Sequence, residues 1–79
     1  MHTSRERLHD GEVVTRTIRL LRTIEAFKGK WFGITMVANQ TGLPKGTVHR
    51  YLAIFVSEGI LERHLHHPQY RKTEEEKRV

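Results

Sequence analysis

Six residues, Lys45 to Arg50, bring together two long cations, a glycine, a hydroxyl and an imidazole: Lys45, Gly46, Thr47, His49 and Arg50. These are groups that bind anions and the edges of bases. Arg50 carries a planar fork able to pair bidentately with guanine, Lys45 is a point charge suited to a phosphate, and Thr47 and His49 donate or accept toward either. Inside a helix Gly46 costs about 0.5–1 kcal/mol relative to alanine, but its missing Cβ lets a phosphate come close to the backbone. The plainer reading of Gly46 is a permissive turn residue.

Ring nitrogens cluster again at His64, His66 and His67. Imidazole binds transition metals, yet strand alternation puts His67 opposite His64 and His66, and Glu62 is the one nearby carboxylate in the same strand. No cysteine is present to complete a zinc site. The expected role is a solvated turn that touches phosphate at lower pH. No nucleophile-and-base arrangement and no glycine-rich phosphate loop is visible, so the sequence predicts no enzyme activity, no cofactor and no metal. Trp31, Phe32 and Tyr51 have the faces on which single-stranded bases stack, but their position at helix junctions reads as core.

The charge balance agrees with an anionic partner. Of 14 Lys and Arg and 9 Asp and Glu, residues 1–50 hold nine cations and four acids, so the net charge of +5 lies entirely in that part. A basic excess so placed suits a polyanion, nucleic acid before a membrane surface; a merely solubilising charge is the alternative. No run approaches the roughly 18–20 apolar residues of a membrane span, and Met1–Asp10 is too polar for a secretory leader. With no disulfide framework either, the expected setting is cytoplasmic. A chain of 79 residues supports one small domain with a core of few side chains.

The cationic cluster needs elements to hold it out. Val13, Val14, Ile18, Leu20, Leu21, Ile24 and Phe27 recur at helical spacing and predict a first helix over about 12–28, capped by Asp10 and stopped by Gly29. Residues 1–11 read as a flexible basic arm. Arg16, Arg19, Arg22 and Lys28 occupy the other face of that helix. Residues 31–34 read as a single extended segment beside it. Thr35 looks like the cap of a short second helix over 36–41 that Gly42 ends, and Pro44, preorganised for a first helical position, starts a third running to about Glu58. Ile60–Leu65 and Tyr70–Thr73 predict two strands about a turn at His66–Gln69. The acidic and basic run 73–79 cannot bury enough surface to offset its ordering entropy and reads as a flexible tail, leaving 12–72 as the domain.

Ala38, Gly42 and Val48 have the spacing of two helices crossing steeply through a tight turn. Ala38 is small enough for close approach, Gly42 turns left-handed, and Val48 fills the angle, with Val37 and Leu52 completing the core. In a helix-turn-helix the start of the second helix is delivered into the major groove, which makes Lys45, Gly46, Thr47, His49 and Arg50 the expected DNA contacts. Arg16, Arg19, Arg22 and Thr35 are candidate phosphate contacts.

The run Gly-Leu-Pro-Lys-Gly-Thr-Val-His-Arg-Tyr-Leu, Gly42 to Leu52, followed by Ser-Glu-Gly-Ile-Leu-Glu-Arg, Ser57 to Arg63, resembles the DNA-binding domain of the IclR family of bacterial transcription regulators. The likeness extends from Arg19 to about Arg71. It implies a mainly α winged helix-turn-helix, three helices plus a small β-hairpin, with the third helix as the recognition helix. Contacts would fall on Lys45, Thr47, His49 and Arg50, and wing contacts on Arg63 and Arg71. Family members carry a larger effector-binding domain that this sequence does not show, so no small-molecule effector is expected. The wing turn departs from the family pattern, with His66, His67, Pro68 and Gln69 where glycine is usual.

The expected function is therefore sequence-specific binding of double-stranded DNA by a small bacterial or phage transcription regulator, acting as a homodimer. Two other roles use the same domain: a phage DNA-processing or recombination accessory factor resembling a terminase small subunit, and a winged helix diverted to a host protein.

Overall fold

A computed structural model describes the backbone of residues 2–74 and the side chains from Gly11 to Glu74. Its order is α1 (His2–Ala26), β1 (Phe32–Gly33), α2 (Ile34–Thr41), α3 (Lys45–Ser57), β2 (Leu61–Arg63) and β3 (Gln69–Lys72). The core takes Leu20 and Ile24 from α1, Phe32 from β1, Val37 and Ala38 from α2, Val48, Leu52 and Phe55 from α3, and Leu61 and Tyr70 from the sheet. Every element thus contributes to one cluster.

α1 departs from the expected first helix. It begins at His2, so Asp10 lies within it and not at its start, and the expected arm 1–11 is helical from its second residue. Among the described side chains burial begins at Leu20: Val13, Val14 and Ile18 are 42%, 55% and 45% exposed. Their spacing suits a buried face, but among the described residues they are not part of the core or of the side chains packed against it. Lys28 and Gly29 then turn left-handed, at φ 54 and 82, and end the helix two residues early. Phe27 stacks on Phe32 beyond this turn with ring centres 4.6 Å apart.

Residues 32–33 do not stand alone beside α1 but form the edge of a three-stranded antiparallel sheet of order β1-β3-β2. Phe32 faces Tyr70 and Gly33 faces Gln69, while Leu61, Glu62 and Arg63 face Lys72, Arg71 and Tyr70. Backbone donors and acceptors at 32–33 need partners, and β3 supplies them. An ion pair between Glu25 and Lys72 ties the end of α1 to the same strand.

At the turn between α2 and α3, Gly42 has φ 75, and its amide donates to the Ala38 carbonyl at 2.8 Å. Only a residue without Cβ takes this conformation at little cost. Thr41, buried beside it, donates its hydroxyl to the Val37 carbonyl at 2.8 Å and accepts from the Leu43 amide at 3.3 Å. α2 starts two residues earlier than expected, with Gly33 and not Thr35 as its cap residue, and Pro44 is the cap of α3, not its first helical residue. α3 closes in a Schellman motif: the Gly59 amide donates to Val56 and the Ile60 amide to Phe55, at 3.0 and 2.9 Å.

The chain stays attached past β3. The Thr73 amide donates to the Ile60 carbonyl at 3.0 Å and its hydroxyl to the Gly59 carbonyl at 2.8 Å, which ties the residue after β3 to the loop that follows α3. Residues 75–79 of the expected tail lie outside the described residues.

Candidate nucleic-acid interface

Val48, Leu52 and Phe55 bury one face of α3, which turns Gly46, His49, Arg50, Ala53 and Ser57 toward solvent. Lys45 is exposed at the first turn and Thr47 half-buried. Among the described residues neither Lys45 nor Arg50 has an ion-pair partner. No side chain caps the helix and no acid lies in its first turn. The first amide with an intrahelical acceptor is that of Val48, which donates to Pro44 at 3.0 Å. The amides of Lys45, Gly46 and Thr47 therefore project outward at the positive end of the helix dipole, beside a lysine. An anion placed here would meet three backbone donors and a cation.

Gly46 is helical, not a turn residue, and a Cβ added there would meet nothing within 4 Å. Nothing inside the protein requires its lack of a side chain. Gly46→Ala is accordingly expected to stabilise the fold by about 0.5–1 kcal/mol in urea denaturation while weakening DNA binding. Unchanged affinity would mean that no backbone phosphate approaches this turn.

The remaining sequence-predicted residues fall in three places. Arg19 and Arg22 are exposed on α1 and Arg16 half-buried; Arg19 also reaches the Thr41 carbonyl at 3.5 Å, which leaves its charge near the turn. Thr35 is exposed in the first turn of α2, on the rim of a cleft of about 600 Å³ completed by Gly33, Ile34, His67, Pro68 and Gln69. Arg63 is exposed on the wing, its guanidinium 5.9 Å from the Tyr70 ring centre. Arg71 is more engaged: its Nε donates to Glu62 at 2.5 Å, and its guanidinium lies 4.4 Å from the centre of Trp31. Half its work is thus internal. Trp31 is half-buried as the platform for this cation, whereas Phe32 and Tyr51 pack with the core.

Sequence reasoning missed how the wing turns without glycine. Nδ1 of His64 accepts from the amides of His66 and His67 at 3.0 and 3.2 Å, and its ring meets the edge of Trp31 at 4.7 Å and His67 at 4.6 Å. The His64 side chain thus takes over capping that a tighter glycine turn would supply. A ring nitrogen two residues before a pair of free amides is the signal that would have revealed it. No group of three His, Asp or Glu able to hold a metal occurs among the described residues.

Partial desolvation, then the charges of His67, His66 and Arg71, hold the His64 pKa below its ordinary 6.5. The two accepted bonds act the same way, since they need an unprotonated Nδ1. Because the folded pKa is the lower one, the contribution of His64 is complete at neutral pH. It begins to fall as pH drops through 6.5 and is gone below the folded pKa. A proton NMR titration should place His64 below 6.5, with the His66 and His67 amides losing exchange protection in step. A midpoint at or above 6.5 with those amides unaffected would show that the imidazole does not hold the turn.

Three helices, the second and third joined at a left-handed glycine, and a small antiparallel sheet whose β2 and β3 are linked by a turn define a winged helix-turn-helix. Residues 13–65 match the family model of the IclR helix-turn-helix domain, and the chain belongs to that family. Its role is DNA binding in regulation, and domains of this kind are typically non-enzymatic. Searches of curated proteins and of solved structures gave no match. No helix among the described residues is long and apolar enough to cross a membrane.

Proposed function

We propose that the protein binds double-stranded DNA sequence-specifically, as a transcription regulator that inserts α3 into the major groove and blocks a promoter by occupying it. The observation that carries this reading is the start of α3, where Lys45, Gly46, His49 and Arg50 are exposed beside three outward amides, with no ion pair to Lys45 or Arg50 among the described residues. Lys45 and the amides hold phosphate, Arg50 reads guanine, and Thr47 and His49 take neighbouring base edges or phosphate. Arg16, Arg19, Arg22 and Thr35 add backbone contacts, and Arg63 and the outer edge of Arg71 serve the wing.

One such unit covers few base pairs, so useful specificity calls for two copies on half-sites about 34 Å apart. The apolar stripe Val13, Val14 and Ile18 that α1 leaves in solvent supports a homodimer through this helix. No small-molecule effector enters this mechanism.

Selection from random duplexes should yield a defined, palindromic site. On that site four to six phosphate contacts give a slope of log affinity against log salt of about −4 to −5, and Lys45→Ala should reduce its magnitude by about one. Equal affinity for all duplexes would leave a non-specific DNA-binding role, such as an accessory factor in DNA processing. A flat salt response would point to an acidic protein surface instead.

A further inference from the structure

The exposed face of α3 continues past Arg50. One turn on, Ala53 and Ile54 also stand in water, Ile54 with 51% of its surface exposed. At 3.6 residues per turn they lie about 60° and 40° from Arg50, one on each side of it. An isoleucine half out of water on this helix is not required by the core, which Val48, Leu52 and Phe55 already fill from α3. The patch is continuous with the surface that carries Arg50.

In the major groove the apolar group offered by DNA is the thymine methyl, while cytosine presents an amino donor in the same region. An apolar pair gains contact from the first and leaves the second without an acceptor. Helical side chains lean toward the N-terminus, which carries Ile54 over the turn that holds Arg50. Residues three and four apart have Cβ atoms about 5–6 Å apart, and successive base pairs rise about 3.4 Å, so the two reading points are one to two base pairs apart.

We infer that Ala53 and Ile54 form an apolar reader for thymine methyls lying one or two base pairs from the guanine taken by Arg50. The inference rests on the proposed docking of α3 in the major groove. It assigns specificity to two residues outside the polar cluster.

The test begins with the best duplex from random selection, in which the thymine nearest the Arg50-dependent guanine is replaced by deoxyuridine. This removes a methyl and leaves the pairing edge intact. Wild-type protein should bind the uracil duplex about three- to fourfold more weakly per methyl, and Ile54→Ser and Ala53→Ser should each narrow that difference. Both variants should keep the guanine preference, which shows that the helix is folded and docked. If wild-type protein binds thymine and uracil duplexes equally while Arg50→Ala still erases the guanine preference, the apolar reader is wrong and the docking stands. If Arg50→Ala leaves the selected sequence unchanged, the docking is wrong and the reader falls with it.

Discussion

Leu52→Ala is expected to cost about 2–5 kcal/mol of folding stability. Leu52 is fully buried on α3 in the cluster that joins this helix to α2 and the sheet. Truncation removes the transfer free energy of the lost carbons and leaves a cavity that three packed elements cannot readily close. Against about 0.05–0.15 kcal/mol per residue, a chain of 79 residues has only about 4–12 kcal/mol in total. One side chain therefore holds a large share. Urea denaturation should show a much lower midpoint with an unchanged slope, because the surface exposed on unfolding is nearly the same. A loss below about 1 kcal/mol would mean that Leu52 lies outside the cooperative core.

Arg50→Ala is expected to have the opposite profile. Arg50 is exposed and makes no ion pair among the described residues, so the melting of the protein should stay within the small range of surface substitutions, about ±0.5 kcal/mol. Its effect falls on binding: about 1–3 kcal/mol on the preferred site, with relaxed preference at one base pair and little change on non-specific DNA. Competition binding against single-base variants separates this from loss of a phosphate contact, which weakens all duplexes alike. Equal weakening on every sequence would show that Arg50 holds the backbone and reads no base, which overturns the proposed docking of α3.

The residues around the turn were the most legible part of the sequence because each position there is held by local sterics. Gly42 is needed for a positive φ, and Ala38, Val48, Val37 and Leu52 are small or apolar groups at helical spacing about it; the structure gives Gly42 a φ of 75 and buries the other four in the core. The length of α1 was not legible. Apolar spacing marks a face that can be buried, as with Val13, Val14 and Ile18, but not whether another element extends far enough to bury it. The pairing of β1 with β3 was hidden for a related reason, since two residues carry no alternation and the partner of Phe32 lies 38 positions away at Tyr70. The wing turn depended on side chain to backbone bonds from His64, which no hydrophobic pattern records. The chemistry of the candidate interface was readable as residue types, whereas the internal engagement of Arg71 with Glu62 and Trp31 required the sheet register to be known.

Gly33 ends β1 opposite Gln69 and is also the cap residue of α2, so one peptide joins the wing to the helical pair. The distance between the wing tip and the reading helix is consequently fixed by strand pairing and not by a hinge. A duplex held at both points must match that span, and one whose minor groove is too wide or too narrow has to deform or release a contact. On the proposed docking, with the wing over the adjacent minor groove, the molecule would act as a pair of callipers. Base composition between and beside the touched positions then influences affinity through the stiffness of the DNA, without any side chain meeting those bases.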